Sequence, residues 1–106
     1  MDIQKFQQTH MCFLVYTLEL ENDKYYCGLS SNLNQRLIAH ISKQGAAWTK
    51  QHHIKRLIDV QISTSLEAAL KLENEITLDL MKKHGWTNVR GGKFCRCLMS
   101  APPKKL

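Results

Sequence analysis

The sequence predicts a small α/β domain of the α+β type, in which a three-stranded, mostly antiparallel sheet is flanked by helices. Three observations indicate this class. The chain has 106 residues, which is enough for about one domain. Its hydrophobic fraction of 43% is that of an ordinary globular protein. Strand-like and helix-like apolar patterns follow one another in the order β-β-α-β-α, and a basic segment comes after them.

A β-hairpin opens the predicted domain. Residues 11–19 are rich in β-forming side chains, and a second short run starts at Tyr25 and closes at Gly28. The polar residues 21–24 between the two runs are suited to a turn. Two such runs joined by a short turn predict two antiparallel strands.

A short amphipathic helix is predicted over residues 33–43. Asn32 with Gln35 three positions later resembles a capping box, and Gly45 ends the pattern. The apolar residues recur at helical spacing and are Leu33, Leu37, Ile38 and Ile41. A loop over residues 45–53 follows.

A third strand and a long second helix complete the predicted fold. Residues 54–62 carry five apolar β-formers, and Ser65 begins a helix that runs to residue 84 and stops before Gly85. We expect an N-terminal lead over residues 1–10, the folded domain over 11–94 and a basic tail over 95–106.

The charge distribution favours a polyanionic partner. The formal net charge is +6, and no acidic residue follows Asp79. A basic surface gains free energy when it displaces counterions from nucleic acid. No apolar stretch reaches the roughly 20 residues that span a bilayer, and no secretion signal is evident. We therefore expect a cytoplasmic protein with access to a nucleoid or nucleus, neither secreted nor membrane-bound.

The cysteines leave two interpretations. Four of them, unevenly spaced and without a secretion signal, favour reduced thiols over a disulfide framework. Cys95 and Cys97 form a C-x-C pair that can supply half of a zinc site with His84 or His10. A zinc-dependent interaction domain is therefore one alternative.

Glu73 breaks the pattern of the second predicted helix. It falls near the middle of an apolar arc, where a carboxylate is unfavourable unless it is paired or binds a cation. A metal ligand at the edge of the core is one interpretation. A salt-bridged residue at the rim, or a helix phase that is off by one residue, is the other. The arc consists of Leu66, Ala69, Leu70, Ile76, Leu80 and Met81.

Arg36 and His40 form a second pair with chemical potential. They are four residues apart and therefore share a helix face. Arginine binds phosphate through two parallel N–H bonds, and histidine exchanges protons near neutral pH. Tyr16 and Tyr26 come from the two predicted strands of the hairpin, where an aromatic residue is ordinary.

Together these residues resemble the GIY-YIG nuclease family. The two half-motifs appear as Leu14-Val15-Tyr16 and Tyr26-Cys27-Gly28. Leu14 stands where the family has its first glycine, and Cys27 where it has isoleucine. The remaining matches, in chain order, are Arg36, His40, the loop 45–49, Glu73 and Asn88.

The resemblance implies hydrolysis of DNA phosphodiester bonds that depends on a divalent metal, Mg²⁺ or Mn²⁺. It implies that Glu73 holds the metal, that Arg36 binds phosphate and that Asn88 fixes either Glu73 or the following backbone. The resemblance favours Tyr16 as the base that activates water, with Tyr26 and His40 positioning water and phosphate. Acid–base chemistry alone favours His40, so both remain candidates. Gly28 is expected to be a structural motif residue.

The basic residues near these positions are expected to contact DNA phosphates. They are Lys50, Lys82, Arg90 and Lys93. Trp48 in the loop can stack on a base or be buried. A catalytically inactive nucleic-acid-binding module of the same fold is the main alternative. RNA as substrate, a targeting protein partner, a monomer or weak homodimer, and a role in repair or in a mobile element stay open.

Overall fold

Four strands form one mixed sheet in the computed structural model, which describes residues 12–106. The strands are β1 (Phe13–Leu20), β2 (Lys24–Ser30), β3 (Ile54–Ser63) and β4 (Val89–Gly91), in the spatial order β3-β1-β2-β4. β1 pairs antiparallel with β2 and with β3, whereas β4 pairs parallel with β2. The α+β class is as predicted, but the sheet has one strand more than predicted and that strand is parallel. The predicted lead over residues 1–10 lies outside the described part of the chain.

Three helices in the described residues flank this sheet. They are α1 (Leu33–Ile41), α2 (Ala47–Gln51) and α3 (Leu66–His84). The Asn32 side chain caps α1 by accepting from the Gln35 N–H, and Ser65 caps α3 in the same way. α2 occupies part of the segment that the sequence predicts as loop. No helix in residues 12–106 is long and apolar enough to cross a membrane.

The helices cover opposite faces of the sheet, so β1, one of its two interior strands, is buried on both faces. Alternate residues of β1 reach the α1 and α2 side, where Tyr16 and Leu18 pack with Trp48. On the other face Val15 packs with Cys27 and with Ala69 of α3. β1 therefore lies between two apolar clusters, and Tyr16 and Tyr26 belong to the cluster on the α1 side.

α3 ends in a turn that returns the chain to the sheet edge. Gly85 has φ +94°, which is unfavourable for other residues, and a short 3-10 turn (Trp86–Asn88) leads into β4. β4 stops at Gly91 after pairing with residues 25–27 of β2. Beyond residue 27 the outer side of β2 therefore has no strand partner among the described residues.

Candidate active site

The two tyrosines lie side by side on one face of the hairpin. In the antiparallel register Tyr16 is opposite Gly28, and Leu18 is opposite Tyr26. Tyr16 and Tyr26 are therefore diagonal neighbours, with ring centroids 6.3 Å apart. A Cβ atom at position 28 would collide with the Tyr16 hydroxyl and ring. The close approach of this ring to β2 thus requires glycine.

His40 joins the tyrosines from α1. Its side chain is fully buried, and its ring stands edge-on to Tyr26 with centroids 5.3 Å apart. The Nε2 atom lies 2.8 Å from the Tyr16 hydroxyl, and Nδ1 lies 2.8 Å from the Thr49 hydroxyl. Burial, assisted by the positive charge of Arg36, lowers the pKa of His40 to about 4. The imidazole is therefore neutral near pH 7.

Arg36 reaches the same tyrosines from the preceding turn of α1. Burial raises the pKa of Tyr16 and of Tyr26 above the ordinary phenol value, and the nearby Arg36 guanidinium opposes that shift in both. Both phenols consequently keep their protons at neutral pH. Arg36 is only partly buried, so its guanidinium also faces the solvent side of the cluster.

Glu73 lies on the buried stripe of α3. It is 8% exposed and shares the stripe with Ala69, Thr77 and Met81. Burial raises the pKa of its carboxyl group, and the backbone N–H of Gly92 opposes that shift. Its negative charge contributes to raising the pKa of both site tyrosines, which puts it within electrostatic range of them.

The Glu73 carboxylate fits a divalent cation. Residues 12–106 contain one salt bridge, between Arg56 and Glu19. No lysine or arginine of this part of the chain therefore neutralises Glu73. In that part of the chain no three histidine, cysteine or acidic residues lie close enough together to hold a metal ion between them. Magnesium suits such a place, since it keeps several waters and accepts one or two carboxylates from protein.

Comparison with known proteins decides the family. Residues 12–84 match the GIY-YIG catalytic domain. This chain belongs to the GIY-YIG family. GIY-YIG domains have a nuclease fold and act on DNA.

The similar proteins carry the name UPF0213 and no stated activity. One from Fusobacterium nucleatum is 32% identical over 73 residues, covering 69% of this chain and 73% of that protein. One from Halalkalibacterium halodurans is 30% identical over 81 residues, covering 76% and 86%. One from Autographa californica nuclear polyhedrosis virus is 40% identical over 50 residues, covering 47% and 48%. No solved structure matches this chain.

The structure brings four of the predicted GIY-YIG site residues into one cluster, with Gly28 against Tyr16 and with a fifth residue, Glu73, within electrostatic range of the two tyrosines. The four are Tyr16, Tyr26, Arg36 and His40. Leu66 and Leu70, which the sequence places with Glu73 on the apolar arc, are about half exposed. The buried stripe of α3 therefore differs from the predicted arc and consists of residues four positions apart, namely Ala69, Glu73, Thr77 and Met81.

Asn88 makes its side-chain hydrogen bonds with a lysine and with backbone rather than with Glu73. Its Oδ1 atom accepts from the Lys24 ammonium at 2.6 Å, and its Nδ2 donates to the His84 carbonyl at 2.8 Å. The amide therefore joins the start of β2 to the end of α3. The asparagine that contacts the turn next to Glu73 is Asn74.

Asn74 holds the turn that faces Glu73. Its Oδ1 atom accepts from the Lys93 N–H at 3.0 Å, and it packs directly against Gly92, whose φ is +51°. This contact fixes the backbone whose Gly92 N–H opposes the rise that burial causes in the pKa of Glu73. Nothing in the apolar periodicity of α3 distinguishes Asn74 from any other polar helix residue, so the sequence analysis missed it.

Arg90 is a structural residue, and the prediction that it binds DNA is wrong. It is 3% exposed, and its guanidinium lies 4.7 Å from the centre of the Trp48 ring. Its N–H groups donate to backbone carbonyls of Trp86, Val89, Arg96 and Cys97. A guanidinium committed in this way cannot reach a phosphate.

Trp48 is also buried, and its Nε1 donates to the Tyr25 carbonyl, so base stacking is excluded for it.

The three lysines predicted to contact DNA are exposed. They are Lys50, Lys82 and Lys93. Lys93 directly follows the turn at Gly92 that faces Glu73, whereas Lys50 and Lys82 lie on α2 and in the last turn of α3.

A zinc site at the C-x-C pair does not form with His84 in the described residues. Cys95 is exposed and Cys97 is partly buried, while the His84 ring stacks on Tyr25 with centroids 3.9 Å apart. His10, the other candidate ligand, lies outside the described residues.

Two further residues of the site escaped the sequence analysis. Thr49 contacts His40 directly, and Gly45 packs so closely on the His40 ring that a Cβ atom there would collide with Nδ1. Both belong to the loop quoted in the family resemblance. Their position next to His40 arises from the turn between α1 and α2, which no periodic pattern reveals.

Proposed function

We propose that this protein is a divalent-metal-dependent endonuclease that hydrolyses DNA phosphodiester bonds by in-line attack of water. The buried Glu73 carboxylate, which no basic side chain neutralises and which lies within electrostatic range of the two tyrosines, carries the proposal. A carboxylate in that setting is stabilised by a cation. The neighbouring cluster holds a guanidinium and two phenols, which are the groups that a phosphate and an attacking water need.

Each residue of the cluster has a task in this mechanism. Arg36 binds the non-bridging oxygens of the scissile phosphate, and its hydrogen bonds strengthen as negative charge grows on them. Because the guanidinium lies near both phenols, its engagement with phosphate frees the hydroxyls for water. Glu73 holds the Mg²⁺ or Mn²⁺ ion, which supplies electrostatic stabilisation to the transferring phosphate and the leaving oxygen.

Tyr16 is the better candidate for the residue that meets the water. His40 is fully buried, and its Nε2 is occupied by the Tyr16 hydroxyl. The water gives its proton to the Tyr16 oxygen while Tyr16 passes its own proton to Nε2 of the neutral imidazole. The raised pKa of Tyr16 disfavours a free phenolate, so a coupled transfer is preferred to prior ionisation. Tyr26 orients the water and phosphate from the neighbouring position.

Glu73→Gln tests the metal assignment. We expect plasmid nicking in Mg²⁺ to fall at least about 10²-fold, because the variant cannot hold the ion that stabilises the transition-state charge. DNA affinity, measured by fluorescence anisotropy in EDTA, should stay within about twofold of wild type, since DNA contacts come from other residues.

Glu75→Gln is the matched control. Glu75 is on the same helix, is exposed and undergoes the same change of charge. Its variant should cut like wild type. Normal nicking by Glu73→Gln overturns the metal assignment. A wild-type protein that binds DNA and never cuts it, or cuts only RNA, overturns the proposed reaction and favours a binding module or an RNA enzyme.

A further inference from the structure

We propose that Thr49 is a positioning residue that holds His40 in the tautomer with the proton on Nδ1. This inference rests on the proposed endonuclease function for its catalytic meaning. The hydrogen-bond geometry itself is independent of that function. Thr49 lies on α2 and is fully buried.

The direction of the hydrogen bonds follows from the Thr49 hydroxyl. A hydroxyl has one proton to donate, and the Thr49 Oγ1 donates it to the Ala46 carbonyl at 2.9 Å. Its contact with His40 Nδ1 at 2.8 Å must then be one in which Oγ1 accepts. The neutral imidazole carries a single N–H, so that proton is on Nδ1 and Nε2 has the free lone pair. The Tyr16 hydroxyl, 2.8 Å from Nε2, is consequently the donor of that bond.

The surroundings of His40 hold the ring in one orientation, since a 180° rotation would put carbon atoms in place of Nδ1 and Nε2 and break both hydrogen bonds. Gly45 packs against Nδ1 and Tyr26 stands edge-on to the ring. The charged or titratable groups acting on the imidazole are Arg36 on its own helix and the two phenols from β1 and β2. Thr49 is thus the group that selects which nitrogen holds the proton.

This tautomer is the one that the reaction needs. As the water oxygen bonds to phosphorus, its proton moves to the Tyr16 oxygen and the Tyr16 proton moves to Nε2. The phosphorus–oxygen bond to the leaving strand then breaks, and the leaving oxygen is protonated from solvent. The imidazolium so formed has N–H groups on both nitrogens, and the Thr49 oxygen still accepts the one on Nδ1. The other tautomer has a proton on Nε2 already and blocks the transfer.

The first measurement is ¹⁵N NMR of the imidazole nitrogens, with the His40 signals assigned by their loss in His40→Gln. Wild type should show a protonated Nδ1 and an unprotonated Nε2 at pH 7. Thr49→Ser keeps the hydroxyl and should keep this pattern, whereas Thr49→Val should increase the Nε2-protonated form. An unprotonated Nδ1 in wild type overturns the proposal, even if Thr49→Val does not fold.

The second measurement is the split between kcat and affinity in DNA cleavage. Thr49→Val should lower kcat by about 10²-fold, a contribution typical of a general base, and leave KM and DNA affinity unchanged. Thr49→Ser should restore most of the rate. Full kcat in Thr49→Val, or equal losses in both variants, overturns the positioning role. If wild type cuts no DNA, the proposed function fails, and the NMR pattern still decides the tautomer.

Discussion

Gly28 illustrates how one absent side chain shapes this site. The glycine lies opposite Tyr16 across the hairpin, and the space of its missing Cβ is filled by the Tyr16 ring and the edge of Tyr26. The position of the Tyr16 hydroxyl 2.8 Å from His40 therefore depends on a residue that has no functional group. The sequence analysis identified Gly28 as a motif residue, and the structure supplies the steric reason.

Gly28→Ala should displace the Tyr16 hydroxyl and break its bond with His40. We expect a loss of DNA cleavage of about 10²-fold, because a misplacement of about 1 Å can cost that much. Overpacking should also destabilise the fold by about 1–3 kcal/mol, measured by urea unfolding. In a Tyr16→Phe background the alanine should cause little further loss of activity, since the hydroxyl it displaces is already gone. Additive losses would contradict this account.

Arg90, a side chain of β4, makes four main-chain hydrogen bonds that help to hold the C-terminal segment to the domain. Arg90 donates to the carbonyls of Arg96 and Cys97 on one side and to those of Trp86 and Val89 on the other. Cys97 also packs against the apolar cluster that contains Tyr16. Residues directly beyond the predicted boundary at 94 are therefore tied to the sheet through this arginine.

Arg90→Lys should destabilise the protein although it preserves the charge. A lysine ammonium lacks the planar fork that serves several carbonyls at once, so buried acceptors lose their donors. We expect the free energy of unfolding in urea to fall by on the order of 3 kcal/mol. Lys82→Ala, at an exposed position, should change it by less than about 0.5 kcal/mol. An Arg90→Lys protein as stable as wild type would contradict the structural role.

The elements that the sequence predicts are those with long patterns. α3 with its Ser65 cap and Gly85 stop, and the β1–β2 hairpin, follow from periodicity and turn chemistry. β4 has three residues and α2 has five, which is too short for any period to emerge. Arg90 was misjudged for a related reason, because the burial of a basic residue depends on chain segments that meet only in the folded protein.

At the scale of the whole molecule, the site is built from both layers of helices. α1 supplies Arg36 and His40 on one face of the sheet, and α3 supplies Glu73 from the other. The sequence identified these residues by type and spacing but contained no sign of the polar contacts between them. Thr49 and Asn74 act through such contacts, which explains why spacing alone did not reveal them.

The buried His40 should make global stability depend on pH. Its folded pKa of about 4 lies below the value of an exposed histidine. Between about pH 6.5 and 4 the unfolded chain binds a proton that the folded chain does not, so acidification should destabilise the fold by up to about 1.4 kcal/mol per pH unit. The raised pKa of Glu73 acts in the opposite direction at the acidic end of this range.

The comparison of wild type with His40→Gln isolates the histidine. Both proteins contain Glu73, whose pKa is raised, and His52, whose pKa is lowered. The effects of these two residues on the free energy of unfolding therefore cancel when the two proteins are compared. The stability advantage of wild type, measured by urea unfolding at several pH values, should shrink from pH 7 to pH 4. An advantage that is constant over that range would show that His40 titrates normally.

The acceptors that Arg90 uses are all main-chain oxygens, and every amino acid has one. Substitutions at these acceptor positions therefore leave the hydrogen bonds of Arg90 intact. This applies above all to the exposed Arg96, whose side chain makes none of these bonds. Replacement of the arginine itself removes all of the bonds at once. Among related proteins that share this architecture, we expect a constant arginine whose binding partners differ freely in identity.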